Sequence, residues 1–563
     1  MARAASEPPG TEIPDADGRR RVVIENVRPR VDDGRFAVKR VAGDVVEVTA
    51  DVFADGHDAV AAVVRHRREG ERRFRETPMH ALGNDRHAGA FAVEGLGRHV
   101  FAVRGWIDRF ATWRDQLGRR VEAGQDVRSE LETGAAIIQA AVAAAPPAAA
   151  GELAGWRERL LADDTGAGAA AALDPALAQL MAAHDPRPHC VDSDLQVTVQ
   201  VDPPLARFGA WYELFPRSLG GDRHGTLRDV GRALDRVAGM GFDVLYLPPI
   251  HPIGETHRKG PNNAPSARPG DPGSPWAIGA ADGGHTAVHR ELGTIADVRR
   301  LAAACAKRGI ALALDLAFQC SPDHPWVREH PEWFRHRPDG TIRYAENPPK
   351  RYEDIYPLDF ESEDWRGLWH ELLEVVRFWI GQGVHVFRVD NPHTKPFPFW
   401  EWLIGAVKRD HPDVLFLAEA FTRPRVMERL AKAGFSQSYT YFTWRNGKHD
   451  LEEYLRELTQ TDVREYFRPN FWPNTPDILT EPMQTGGRPT FAARVVLAAT
   501  LSPAYGVYGP AFELVEQRGL RAGSEEYLDS EKYQLRAWDV ASPDSLAPLL
   551  QAVNAARRAH PPA

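Results

Sequence analysis

The alternation of apolar and polar positions divides the chain into three textures. From Arg20 onward, short β-branched runs are separated by Gly and Asp turns: Val22-Val23-Ile24, Val45 to Thr49, Ala59 to Val64 and His99 to Val103. Such runs predict a small antiparallel β-sandwich over 19–127. Residues 128–183 are rich in Ala, read as helical, and hold no strand candidate. The strict alternation of Leu195 to Val201 then predicts a return strand within 184–203, which makes the helical segment an insertion into the sandwich. Gly166-Ala167-Gly168 reads as linker, and residues 1–18, small and polar, read as disordered.

From residue 204 to 563 the period changes. Short apolar runs, Asp243 to Pro248, Ile310 to Asp315, Val384 to Asp390 and Val414 to Glu419, alternate with amphipathic helices. Thr226 reads as an N-cap ahead of Leu227, Val230, Leu234 and Val237 on one helical face, and Thr294 opens a second helix. The helix from Asp364 carries Trp365, Leu368, Leu372, Val375 and Trp379 at three- and four-residue steps, and Gly381-Gln382-Gly383 stops it. Apolar strands joined by crossover helices mean a parallel sheet, and over this span a (β/α)8 TIM barrel. A doubly wound sheet competes, but no glycine-rich phosphate turn follows a strand. The Pro-, His- and Trp-rich stretch 317–363 reads as a subdomain inserted over one end of the barrel.

Composition narrows the function. The 563 residues carry a formal net charge of −9, which argues against a nucleic-acid surface. Cys190, Cys305 and Cys320 are too few and too scattered for a disulfide framework, so a reducing cytoplasm is expected. The N-terminus lacks a secretory apolar core, and Gly134 to Ala150, broken by Pro146-Pro147, is too short for a membrane span. His285 and His289 have the spacing of a zinc pair without the Glu of HExxH, and turn or packing roles are the better reading. Neither a metal nor a cofactor is expected.

The candidate chemistry lies at strand ends. Asp315, Asp390 and Glu419 each close an apolar run, and in a (β/α)8 barrel those ends ring the mouth that carries active sites. One such Asp is usually a cap; three together suggest a cation site, a shared proton or acid–base work. A retaining glycoside reaction needs two carboxylates about 5 Å apart. Arg388, two residues before Asp390, points the same way along its strand and is placed to hold Asp390 ionised. Tryptophans concentrate in the same half of the barrel; Trp326, Trp333 and Trp472, in loops, are the better candidates for stacking on sugar. The stiff basic loop Asn347-Pro348-Pro349-Lys350-Arg351-Tyr352 offers phosphate donors, a weak signal alone.

Four segments resemble the signature regions of the α-amylase superfamily, glycoside hydrolase family 13: Leu312 to Asp315, Phe387 to Asp390, Leu417 to Glu419 and Asn474 to Asp477. Longer strings, among them FGAWYELFPRS, LYLPPIHPIGETHRKGPNN, ENPPKRYEDIYP, FRVDNPHTKPFPFWEWL and NFWPNTPDIL, resemble the GlgE family of α-1,4-glucan:maltose-1-phosphate maltosyltransferases. The resemblance implies Asp390 as nucleophile, Glu419 as acid/base, Asp477 as the third carboxylate and Arg388 as the arginine beside the nucleophile. It implies Asn347, Lys350, Tyr352 and Asn391 around the donor's phosphate and sugar, and Lys259, Gln319 and Asp354 in the donor pocket. The implied partners are maltose 1-phosphate, an α-1,4-glucan acceptor and product phosphate, and the implied assembly is a homodimer. Gln319-Cys320 and Pro476 depart from generic amylases, against starch hydrolysis and against a calcium site. The family's C-terminal β-domain is expected to be missing after the helix-like segment Leu546 to Ala559. A hydrolase or trehalose-isomerising enzyme of the superfamily, and an inactive glucan-binding protein, are the alternatives.

Overall fold

A computed structural model describes residues 17–348 and 350–561; most of the segment expected to be disordered lies outside them. The chain divides into two compact units, one built from 17–38, 43–94 and 98–199, the other from 39–42, 95–97 and 200 onward.

The first unit holds a four-stranded antiparallel sheet in the order Val22–Arg28, Asp44–Ala54, Arg86–Val93, His80–Gly83. Alternation works as the sequence suggests: Val46, Val48, Ala50 and Val52 are buried while Val45 faces water. A second sheet sets Gly97–Ile107 between Val60–Arg68 and the return strand Val197–Asp202. Helix begins at Arg109, earlier than the Ala-rich texture indicates. Asp108 caps it by accepting from the Ala111 N–H at 2.7 Å, and Phe110, Trp113 and Leu117 form its buried face. Further helices, Arg128–Ala144, Pro147–Leu160, Thr165–Ala172 and Pro175–His184, close a core around Trp113, Ile138, Leu153 and Leu177. Gly166-Ala167-Gly168 is therefore helix and not linker. Asp164 caps it, and Gly168 is needed because a Cβ there would sit 2.8 Å from the Leu160 carbonyl oxygen.

The second unit is the parallel barrel. Its strands are β1 (Gly209–Glu213), β2 (Val244–Leu247), β3 (Ala311–Leu316), β4 (Val386–Val389), β5 (Leu415–Ala418), β6 (Gln437–Ser438), β7 (Asn470–Phe471) and β8 (Ala504–Tyr508). They pair in sequence order, β8 pairs back to β1, and a parallel bridge from Ser438 to Pro469 joins β6 to β7. The barrel is therefore closed, and Trp211, Tyr246, Ala313, Leu417, Tyr439 and Trp472 fill it. Both predicted N-caps are full capping boxes, Thr226 with Asp229 and Thr294 with Asp297. The helix Trp365–Gly381 ends in a turn with Gly383 at φ 91°. Over the mouth lies the inserted stretch, with the hairpin Ala345–Asn347/Lys350–Tyr352 and a short pairing of Gln319–Cys320 with Tyr356–Pro357. Among the described residues no helix is long and apolar enough to cross a membrane.

Candidate active site

Asp390 and Glu419 are the residues that follow β4 and β5, and backbone bonds step them round the barrel. The Asp390 N–H donates to the Leu316 carbonyl at 3.0 Å, and the Glu419 N–H donates to the Val389 carbonyl at 3.0 Å. Each acid is thus docked on the end of the preceding strand. Asn391 turns the chain away with φ 43°, a left-handed conformation that Asn tolerates better than most residues. Asp477 arrives from the loop after β7, in a tight turn where its N–H donates to Thr475 Oγ1 at 3.2 Å.

One guanidinium organises the acids. Arg388 Nη1 lies 2.9 Å from Asp315 Oδ2 and 2.9 Å from Asp390 Oδ1, and Nη2 lies 3.1 Å from Glu419 Oε1. Since Asp390 Oδ1 is taken by Arg388, Oδ2 is the oxygen left for chemistry; Asn391 Nδ2 is 3.4 Å from it. The second oxygen of Glu419 accepts from the Asn391 N–H at 3.2 Å. Burial, opposed by Arg388 and reinforced by Asp390 and Asp477, pushes the Glu419 carboxyl up to about 8. Burial likewise raises Asp315 to about 7 against the pull of Arg388. The Lys395 ammonium, buried beside the Asp390 and Asn391 carbonyls, is shifted down by desolvation.

Of these groups, Asp390, Asn391, Lys395, Glu419 and Asp477 line one cavity of about 1310 Å³ at the carboxyl ends of the strands, while Arg388 and Asp315 lie outside its lining. Asp390, Glu419 and Asp477 share it with Gln319, Lys350, Tyr352, Asp354 and Asn391, so the structure brings most of the sequence candidates together. Lys350 reaches across to Glu526 at 2.6 Å, and Gln319 Nε2 donates to the Trp276 carbonyl at 3.2 Å. Burial raises Asp354 to about 6 although Lys259 opposes it. Lys259 is buried and paired with Glu353, outside the cavity lining. The Asn347 side chain lies outside the described residues; its backbone pairs with Lys350.

Sequence reading missed Lys532, Tyr533 and Trp276, which line the same cavity. Lys532 is half-buried and forms an ion pair with Asp477. Burial opposes its charge, yet Asp477 outweighs this and raises the ammonium's pKa. It sits in irregular chain between β8 and the last helix, where periodicity carries no signal. The stacking candidates need correction. Trp326, Trp333 and Trp472 are core: Trp326 and Trp333 pack edge to face, and Trp472 fills the barrel so tightly that a Cβ on Gly506 would lie 2.3 Å from its ring. The loop context that suggested exposure belongs to chain folded back on the barrel. His285 and His289 are not a pair either. Among the described residues, groupings with ligand spacing are His285, Cys320 and His324, and His224, His289 and Glu291, and neither lines the cavity.

The family model for domain N/S of α-1,4-glucan:maltose-1-phosphate maltosyltransferase matches residues 20–203. The maltosyltransferase of that name from Chlorobaculum tepidum is 54% identical over 547 residues, covering 97% of this chain and 82% of its own. The chain belongs to the GlgE maltosyltransferase family. Relatives of the same name from Salinibacter ruber (51% identity) and Myxococcus xanthus (52%) each match over 96% of this chain and 82% of theirs. The GlgE-like strings now have places around one cavity: ENPPKRYEDIYP carries the paired strands Glu346-Asn347 and Lys350 to Tyr352, FRVDNPHTKPF carries most of β4 and Asp390, and NFWPNTPDIL carries β7 and Asp477.

Proposed function

We propose that the chain transfers maltosyl units from α-maltose 1-phosphate to the non-reducing 4-hydroxyl of an α-1,4-glucan, with release of phosphate and retention of the α configuration. The observation that carries this reading is the meeting of Asp390, Glu419 and Asp477 with the ammonium groups of Lys350 and Lys532 in one cavity.

Asp390 Oδ2 attacks C1 while the C1–O bond to phosphate breaks and its electron pair stays on the phosphate oxygen. A β-maltosyl ester of Asp390 results. Arg388 holds Asp390 in place through its other oxygen. Glu419 starts protonated at neutral pH, as its raised pKa implies, and gives its proton to the departing phosphate. Phosphate is already a good leaving group, so charge neutralisation by Lys532 and Lys350, with Tyr352 and Asn391, contributes more than the proton. Glu419, now a carboxylate, takes the proton of the acceptor 4-hydroxyl as that oxygen attacks C1 from the vacated face. The ester breaks, Asp390 is restored, and two inversions leave an α bond. Asp477 steadies the positive charge that develops on the sugar. Gln319, Asp354 and Lys259 shape the donor side.

The test is phosphate release from maltose 1-phosphate with and without a maltooligosaccharide. The reading expects release to depend on acceptor and glucan to grow by two glucose units. Free maltose with no chain growth would make the enzyme a hydrolase instead.

A further inference from the structure

Behind the cavity wall lies a second group of ionisable side chains that the proposed reaction leaves unused. His285, Cys320 and His324 are buried, with ligand atoms within 4.8 Å of one another. The hydrogen bonds assign every imidazole nitrogen. The Trp326 N–H donates to His324 Nδ1 at 3.1 Å, so Nδ1 carries the lone pair and Nε2 the proton. His324 Nε2 is 3.1 Å from His285 Nδ1, which must therefore accept. His285 Nε2 then carries its proton to the Ala317 carbonyl at 3.0 Å. A metal ion would have to displace the proton between the two rings, and burial keeps the Cys320 thiol from ionising. The pair is a one-way relay of neutral rings, not a metal site. Burial agrees, taking His324 down to about 3 and His285 well below its ordinary value, with His251, itself buried and down to about 4, as the neighbouring ring.

The relay joins two segments of the cavity wall. Ala317 follows β3 directly; the carbonyl before it accepts the Asp390 N–H, and the Ala317 carbonyl also accepts from the Gln319 N–H at 2.9 Å. His285 belongs to the loop after β2 that carries Trp276, whose carbonyl receives the Gln319 side chain. That loop packs on His324 so closely that a Cβ on Gly279 or Gly284 would lie 2.3 or 2.2 Å from the ring. Trp379 Nε1 donates to the His285 carbonyl at 2.8 Å and anchors the junction to the helix Trp365–Gly381. Trp276 and Gln319 both line the cavity.

We propose that His285 and His324 are positioning residues for the donor side of the cavity, an Nε2–H relay that sets the spacing between the wall segments bearing Trp276 and Gln319. The word donor rests on the proposed function; the relay itself does not. Misplacement of a binding group by about 1 Å can cost up to about a hundredfold.

The experiment compares His285→Leu, His324→Leu and His285→Gln with wild type, below the melting temperature of each. Gln keeps a donor for Ala317 and Leu does not. The Leu variants are expected to raise KM for maltose 1-phosphate at least about tenfold with a smaller change in kcat, and His285→Gln to stay within about threefold of wild type. Selective 15N-histidine NMR of the wild-type chain is expected to report two neutral Nε2–H rings that do not titrate between pH 5 and 9. Folded Leu variants with wild-type KM would overturn the positioning role, and an Nδ1–H tautomer or titration in that range would overturn the relay. Should the Leu variants not fold, the NMR arm and His285→Gln decide. An inactive wild type with intact tautomers would count against the proposed function alone.

Discussion

At the scale of single residues, the chemistry converges on Asp390 and Glu419 under one guanidinium. Asp390→Ala is expected to lower kcat for phosphate release by several powers of ten with the fold unchanged by circular dichroism, because it removes Oδ2, the carboxylate oxygen that Arg388 does not hold. The raised pKa of Glu419 fixes the sign of the pH dependence. A group that works protonated is available below its pKa, so kcat/KM for the donor should hold toward neutrality and fall as pH rises through about 8. A profile flat to pH 10 would remove Glu419 as the acid. Asp390, Glu419 and Arg388 were legible in the sequence because each ends or sits in an apolar run whose register fixes its direction. Lys532 was not, because irregular chain carries no periodicity to say which way a side chain points. The tryptophans misled for the same reason: Trp326 and Trp472 sit beside loop residues in sequence and inside the core in space.

At the scale of elements, strands and helices of the barrel were readable because each buries a whole face or stripe, so period and caps agree. The two capping boxes are a clear instance. In the helix Leu227–Gly239, the Thr226 side chain accepts from the Asp229 N–H and Asp229 answers to the Thr226 N–H at 2.9 Å. Thr226→Ala should cost about 1 kcal/mol, read as a lower urea midpoint with an unchanged slope. The first helix of the N-terminal unit was read as sandwich because Arg109–Glu122 is polar apart from a narrow stripe. The helix Thr165–Ala172 was read as linker because Gly166 and Gly168 look like breakers; close packing against Leu160 explains why Gly168 is there. The hairpin Ala345–Tyr352 was read only as a basic loop, since three-residue strands are too short to show alternation.

At the scale of the whole molecule, barrel closure turns scattered strand ends into one cavity, and no single stretch of sequence carries that information. A buried ionic cluster supports the barrel unit away from the chemistry. Asp202 lies 2.5 Å from Lys408 Nζ and 2.5 Å from Arg468 Nη1. Burial alone would raise its pKa, but the two cations override this and hold it down to about 2. The stability this pairing contributes is therefore present above the unfolded carboxylate value near 4 and lost as pH falls toward 2. Asp202→Ala should destabilise by about 3–5 kcal/mol, since buried Lys408 and partly buried Arg468 lose the carboxylate that balances them, while the donor KM of the folded fraction stays unchanged. A melting temperature within 2 or 3 degrees of wild type, roughly the shift of 1 kcal/mol, would contradict the cluster's role.

The proposed mechanism turns on a covalent maltosyl ester on Asp390, which can be trapped. Glu419→Ala lacks the base for transfer yet keeps the nucleophile, and phosphate, a good leaving group, still departs without the proton, though more slowly. Incubated with maltose 1-phosphate, quenched, digested and weighed by mass spectrometry, it should give a stoichiometric burst of phosphate and a maltosyl adduct on the peptide that contains Asp390. A phosphate burst with that peptide unmodified, or with the sugar on another carboxylate, would contradict the account.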